Sequence, residues 1–305
     1  MIIIGYHNVV VESPNAFNKI VRKEWETPEE LERQIAALCK RFTIVPLRHI
    51  VNAIRNEQQI ANACAITFDD GNFGTYKYGL PVLEKYNVPA TFFIITGKVH
   101  EEGKYAPYYF HRLEAMLQLT ANHSIDLSDF GYGVVALADD ERKIEFYKKF
   151  RRQIKLTAAP EKARLDESLE RQLEVPEEKI AAFLQHEVYR MMSWKQIGDL
   201  LKRGHEIGSH TRTHPSLSQI DAAQLEVEIG GSYADLRERL RLQEIPFAYP
   251  FGKPKHVSDV AVNVVKRCGY NGAVMMKEGE NTPATNHYRL RRMDFNQVVS
   301  TYGEL

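Results

Sequence analysis

Two short passages of this chain bring together residue types that do chemistry: Thr67-Phe68-Asp69-Asp70-Gly71 and Ser209-His210-Thr211-Arg212-Thr213-His214. Together they supply two adjacent carboxylates and two imidazoles four residues apart. A Zn²⁺-like ion takes His nitrogens and a carboxylate oxygen and leaves a position open for water. Hydrolysis needs a further base nearby that is not itself a ligand. The two passages contain enough groups for both tasks, so the chain reads as a metal-dependent amide or ester hydrolase. An Asp-Asp-Gly after a strand is often only a turn. The His-x-x-x-His passage after a second strand moves the reading toward a site.

The elements that must position these groups alternate strand and helix. Ile2 to Tyr6 is a short apolar run that reads as a buried strand. In Thr27-Pro28-Glu29-Glu30, Thr takes the N-cap, Pro N1 and Glu N3 of a helix continued by Leu31, Ile35 and Leu38. Further strands are expected at 42–45, 63–68, 90–95, 206–209, 246–249 and 272–276. Helices are expected between them at 47–55, 78–86, 194–203, 226–240 and 257–267, with Ser193 and Gln196 as a second capping box. Tyr288 to Met293 reads as a last edge element. This rhythm implies a parallel sheet. In a parallel α/β barrel the chemistry sits at the C-terminal strand ends, where Asp69-Asp70, His210 and Pro250-Phe251-Gly252 fall.

From about Gly103 to Arg190 the rhythm breaks into a charged, mainly helical segment. Phe110, Leu113 and Leu117 share one face, Ile144 to Ile154 form another, and 131–135 suggests a hairpin edge. The segment reads as an insertion: a lid, a surface for homo-oligomerisation, or plain helical decoration. The chain is therefore read as one domain over 1–305 with a helical insertion at about 103–190. Tyr108, Tyr109, Phe110 and Trp194 are expected to pack. His111 and Arg112 would reach substrate only if the segment folds over the mouth.

At 305 residues, 44% hydrophobic and 26% charged, the composition is that of a soluble globular protein. Forty basic and forty acidic residues cancel, so no global field recruits nucleic acid or anionic membrane. Cys39, Cys64 and Cys268 are scattered and read as reduced thiols. No apolar run is long enough for an integral membrane segment. The N-terminus reads as a strand, not a signal peptide, and as written the chain is expected to be cytoplasmic.

With these motifs in order, the chain resembles the polysaccharide deacetylases of the NodB-homology type (carbohydrate esterase family four). Gly5-Tyr6-His7-Asn8-Val9-Val10 is similar to the family's opening YHxV strand. The Asp69-Asp70 and His210/His214 passages match its first and second motifs, and Phe247-Ala248-Tyr249-Pro250-Phe251-Gly252 resembles its third. The resemblance covers nearly the full length apart from the insertion. It implies a distorted (β/α) barrel of about seven parallel strands and metal-dependent removal of an acyl group, usually N-acetyl, from an amino sugar. It further implies Asp70, His210 and His214 as ligands of one divalent ion, Asp69 as base, and substrate contacts at Tyr249, Pro250 and Phe251. The Phe251 backbone N–H would face the developing oxyanion. Zinc suits this ligand set, with cobalt or nickel as substitutes.

Two departures stand out. Ala248 occupies a position where many members carry an Arg that orients the base. Leu290-Arg291-Arg292 stands where many read Leu-x-His, with that His as general acid. An Arg stays protonated and cannot donate usefully at neutral pH. Two repairs are open: Arg292 lies beside Asp69, or His7 supplies the proton, as in circularly shifted members with YHxV. His7 equally reads as a core histidine, and His205 as structural. The expected function is N-deacetylation of an amino sugar in a bacterial polysaccharide or glycan precursor. The alternatives are deformylation of a (lipid-linked) formamido sugar, hydrolysis of a non-sugar amide, and a catalytically degraded glycan-binding module.

Overall fold

The computed structural model describes residues 1–13, 15–21, 25–101 and 107–303. Its strands are, in chain order, β1 (Ile2–Tyr6), β2 (Thr43–Ile44), β3 (Ala63–Phe68), β4 (Ala90–Ile94), β5 (Ser124–Leu127), β6 (Gly133–Ala136), β7 (Glu206–Ser209), β8 (Pro246–Ala248), β9 (Gly272–Met275) and β10 (Leu290–Arg291). Seven of them form a nearly closed barrel in the order β1-β3-β4-β7-β8-β9-β10, with every neighbouring pair parallel. β2 pairs only with the beginning of β3.

The segment expected as an edge element closes the barrel instead. Gly5 N–H donates to Met293 O at 3.0 Å and Met293 N–H to Ile3 O at 3.0 Å, bridging the end of β10 back to β1. Closure satisfies backbone groups that an edge would leave bare.

Alternation along the strands sorts the side chains into two sets. Ile3, Ala65, Phe93, Ala248, Val274 and Leu290 pack inside with Leu47, Ile50, Val51 and Ile54 of helix Leu47–Arg55. Ile2, Ile4, Ile66, Phe68, Phe92, Ile207 and Phe247 join the core beneath the surrounding helices. The interior is tightly filled, since a Cβ at Gly208 of β7 would lie 2.5 Å from the Phe93 ring. Glu206, at the other end of β7 from the site, is held by Arg48 at 2.8 Å and by the Thr91 hydroxyl at 2.8 Å.

The capping boxes at Thr27/Glu30 and Ser193/Gln196 form as expected. Two more, at Asp221/Gln224 and Asp294/Gln297, open helices the sequence reading placed late or missed. The short helix Ala16–Val21 was also not anticipated. The helix expected from Tyr78 starts at Thr75 with a wide π turn through Gly79, then continues as Leu80–Lys85. The wide turn accommodates Pro81, which has no N–H to give to the preceding turn.

The insertion has its own core. Helices Tyr109–Leu119, Asp140–Ile154, Ala159–Leu173 and Glu177–Phe183 pack with an antiparallel hairpin of β5 and β6. Phe110, Leu113, Tyr147, Phe150 and Leu165 are buried there, together with Phe17 and Ile95 from outside the insertion. The expected start of the insertion, 103–106, lies outside the described residues. Among the described residues no helix is long and apolar enough to cross a membrane.

Candidate metal centre and active site

The backbone ladder carries the site residues. Just past the strands, Asp69 N–H donates to Tyr6 O (2.9 Å), His210 N–H to Ile94 O (2.8 Å) and Arg292 N–H to Met275 O (3.0 Å). The chain then turns through the left-handed region at residues that are not glycine: Asp70 (φ 73°), Thr211 (66°), His214 (67°) and Phe251 (61°). Each such residue costs of order 1 kcal/mol or more and persists only where its surroundings impose it. Four of them gather at this one rim.

Asp70, His210 and His214 converge, with one ligand-type atom from each lying within 4.8 Å of the others. His210 Nε2 is 3.7 Å and His214 Nε2 3.6 Å from Asp70 Oδ1. Ligands bound at about 2.0–2.1 Å in a tetrahedron lie about 3.3–3.4 Å apart, so a small contraction would seat an ion. The outer ring nitrogens support this fit. His210 Nδ1 lies 2.7 Å from Ala248 O, and His214 Nδ1 lies 3.3 Å from the Tyr108 hydroxyl. Such contacts fix ring orientation and leave Nε2 facing the cluster. Burial lowers the His214 pKa well below its usual value, and the charges of His210 and Lys155 add to the effect. The ring is therefore neutral, as a metal ligand must be.

Asp69 has a different setting. It is buried, and Arg292 grips it with two parallel contacts, Nη1 to Oδ1 and Nη2 to Oδ2, both 2.7 Å. Arg292 is itself buried and reaches the Thr67 hydroxyl at 3.1 Å. Burial pushes the Asp69 pKa up, but the charge of Arg292, then that of His210, and the Arg292 hydrogen bonds outweigh it. The net result lies well below the usual carboxylate range. Neighbouring Arg291 faces the other way, as alternation demands, with its backbone pinned by Asn281.

A cavity of about 480 Å³ joins these groups; His7, Asp69, Asp70, His210, His214 and Phe251 all line it. His7 is half-buried. Phe251 packs edge-on to His214, ring centroids 4.6 Å apart. Tyr249 is not brought to the cavity. It faces the outer core because Ala248 before it faces inward; its ring packs on Phe247, and its hydroxyl donates to Tyr288 O at 3.0 Å. Pro250 does not line the cavity either, so of the three expected substrate contacts only Phe251 does.

The insertion supplies the opposite wall. Tyr108, His111, Arg151, Arg152 and Lys155 line the same cavity. Arg112 instead forms ion pairs with Glu170 and Glu177. Tyr108 is the contact that sequence reasoning missed, since nothing local links it to a histidine 106 positions away. His205 is structural, taking the Ala90 N–H on Nδ1 at 3.2 Å.

This chain belongs to the polysaccharide deacetylase family, whose profile matches residues 56–165 and 173–273. The match takes in most of the insertion and begins after β1, so the His7 strand lies outside it. The fold resembles the Streptococcus pyogenes deacetylase PplD in complex with acetate (18% identity, TM-score 0.61, 99% of this chain and 97% of that one). It also resembles IcaB from Ammonifex degensii (16% identity, TM-score 0.61, 99% and 96%). A polysaccharide deacetylase from Bacillus cereus aligns at 17% identity and TM-score 0.58, over 98% of this chain and 68% of that one. No curated protein sequence matches this chain.

Proposed function

We propose that this protein is a metal-dependent hydrolase that removes an N-acetyl group from an amino sugar of a polysaccharide or glycan precursor. The observation that supports this reading is the different setting of the two adjacent carboxylates. Asp70 joins His210 and His214, while Asp69, with Oδ2 3.9 Å from His210 Nε2, has both its oxygens taken by Arg292. A divalent ion of the zinc, cobalt or nickel type in that cluster would polarise the acyl group and acidify water, which offsets the weak basicity of a carboxylate paired to Arg.

The remaining work falls to the chain's own residues. Asp69, kept ionised and oriented, accepts a proton from the attacking water. Arg292 fixes the plane of that carboxylate and stays protonated throughout. The Phe251 N–H, which has no hydrogen-bond partner among the described residues, donates to the acyl oxygen as it gains charge. His7, in the same cavity, gives a proton to the nitrogen as the C–N bond breaks. Acetate and a free amine leave.

The test is release of acetate or formate from N-acetylated and N-formylated sugars, with and without a chelator. Acetate release that stops with chelator and returns with zinc is the expected result. Formate release alone selects a deformylase, and no acyl release despite bound metal selects a binding module. His7→Ala is expected to lose most turnover with metal retained; near-full turnover removes His7 as the acid.

A further inference from the structure

At the last two barrel strands, alternation sends neighbouring side chains to opposite sides. Met276 lines the cavity of the metal cluster and Arg292 holds Asp69. Met275 and Arg291, one position earlier on each strand, line a separate cavity of about 380 Å³. It lies between the loop that follows β8, represented by Pro254, and the loop that joins β9 to β10. The charged residues lining it are Lys277, Arg289 and Arg291, with no carboxylate among them. Arg289 is matched, since it pairs with Asp259. Lys277 and Arg291 form no ion pair and no side-chain hydrogen bond among the described residues. Lys277 is exposed, and water serves it. Arg291 is the informative group: a half-buried guanidinium with five N–H donors and no protein acceptor.

The β9–β10 loop is built around that arginine. Buried Asn281 clamps its backbone, with Nδ2 donating to Arg291 O at 2.9 Å and Oδ1 accepting the Arg291 N–H at 2.8 Å. Asn281 is itself tied to the first strand, its N–H donating to Met1 O at 2.8 Å. Gly279 has φ 127°, and a Cβ there would lie 2.7 Å from Arg291 Nη1, so the guanidinium fills the space a side chain would need. The two acids of the loop turn elsewhere. Glu278 accepts from Gln297 Nε2 at 3.4 Å and Glu280 from the Tyr302 hydroxyl at 2.6 Å, both on helix Phe295–Tyr302. Either acid turned inward would have neutralised the arginine from within the loop. A loop that seats a cation and steers its own carboxylates away leaves the place beside it to an external anion.

We propose that this cavity is a binding site for an oxyanion of the phosphate or sulfate type, distinct from the metal centre. Arg291 gives paired N–H bonds to two oxygens of the ion, and Lys277 adds a point charge. Thr282 and Thr285, which line the same cavity, add neutral hydroxyl donors. The ion is either free or borne on a sugar as an ester. The site stands apart from the hydrolase reading, because Arg291 and Arg292 share a strand but face opposite ways.

Inorganic phosphate, inorganic sulfate and glucose 6-phosphate are titrated calorimetrically into the full-length protein, treated with chelator so that no metal captures the anion. Saturable binding of phosphate and sulfate that weakens as chloride is raised is the expected result. Arg291→Gln is expected to lower the affinity by about tenfold or more, and Arg291→Lys not to restore it, because the paired donors are lost. The Asn281 clamp holds the backbone, so the loop keeps its shape in both variants, checked by an unchanged Tm without anion. Lys277→Gln, at an exposed position, is expected to cost about threefold. The Lys253→Gln/Lys255→Gln pair, which alters the cavity of the metal cluster instead, is expected to leave the affinity unchanged. Equal affinity for phosphate and glucose 6-phosphate identifies a free ion as the ligand, and tighter binding of the ester identifies a sugar-borne one. No binding by the wild type, or binding untouched in Arg291→Gln, overturns the proposal. Binding lost in the Lys253/Lys255 variant also overturns it, by placing the ion in the other cavity.

Discussion

The two walls of the candidate active-site cavity are built by different means. The barrel rim delivers Asp69, His210 and Arg292 on the last rungs of the strand ladder, so their positions follow from backbone pairing over short spans. The insertion wall delivers Tyr108, His111, Arg151 and Lys155 through helix packing around a separate core. The rim holds the groups that would bind the metal and move protons, and the insertion wall adds charge and apolar surface. On the proposed reading, the chemistry would lie where backbone pairing constrains the fold most, and the insertion wall would face the rest of the substrate.

Substitutions at the rim should hurt most. Asp70→Ala or His214→Ala is expected to abolish metal binding and bring acyl release to background, measured by metal analysis beside the assay. Asp69→Asn should lower turnover by about 10²–10⁴-fold with the metal retained. Arg292→Met leaves the Asp69 carboxylate buried and unpaired, so a loss of about 3–5 kcal/mol is expected in denaturant unfolding, along with most of the activity. A small change in either quantity would mean that the pair does not organise the rim.

Changes on or near the insertion wall should be milder. Tyr108→Phe removes one contact to His214 and is expected to weaken metal affinity by about tenfold. His256 stands between the walls, 3.1 Å from the Ser216 hydroxyl and packed against Phe251. Burial, with help from Lys155 and Lys255, lowers its pKa to about 4. The unfolded chain takes up that proton first, so the stability contributed is complete above about pH 6.5 and is lost as pH falls toward 4. Allowing for solvent screening, the effect is about 1 kcal/mol. His256→Gln should flatten the stability curve in that window by this amount; an unchanged slope would assign the dependence elsewhere.

The same contrast explains what the sequence disclosed. Strands β1, β3 and β7 were legible to the residue because apolar runs end abruptly in polar groups there. The meeting of Asp70, His210 and His214 was legible because Asp70 and His210 follow such strands and His214 shares the passage with His210; for the arginines, alternation told only that Arg291 and Arg292 face opposite ways. Tyr249 misled because a motif match names positions, whereas the pleat sends every second side chain away from the cavity. The closing role of Tyr288 to Met293 was hidden, since a two-residue strand carries almost no periodic signal. Tyr108 and the basic wall were illegible because their neighbours lie roughly a hundred residues away in the chain.

The most direct test is a metal titration of chelator-treated protein beside its Asp69→Asn and Asp70→Ala forms. One divalent ion per chain in the wild type and in Asp69→Asn, with none in Asp70→Ala, is the expected pattern. Equal loss in both variants, or no ion bound by the wild type, would contradict the separate roles assigned to these two neighbouring carboxylates.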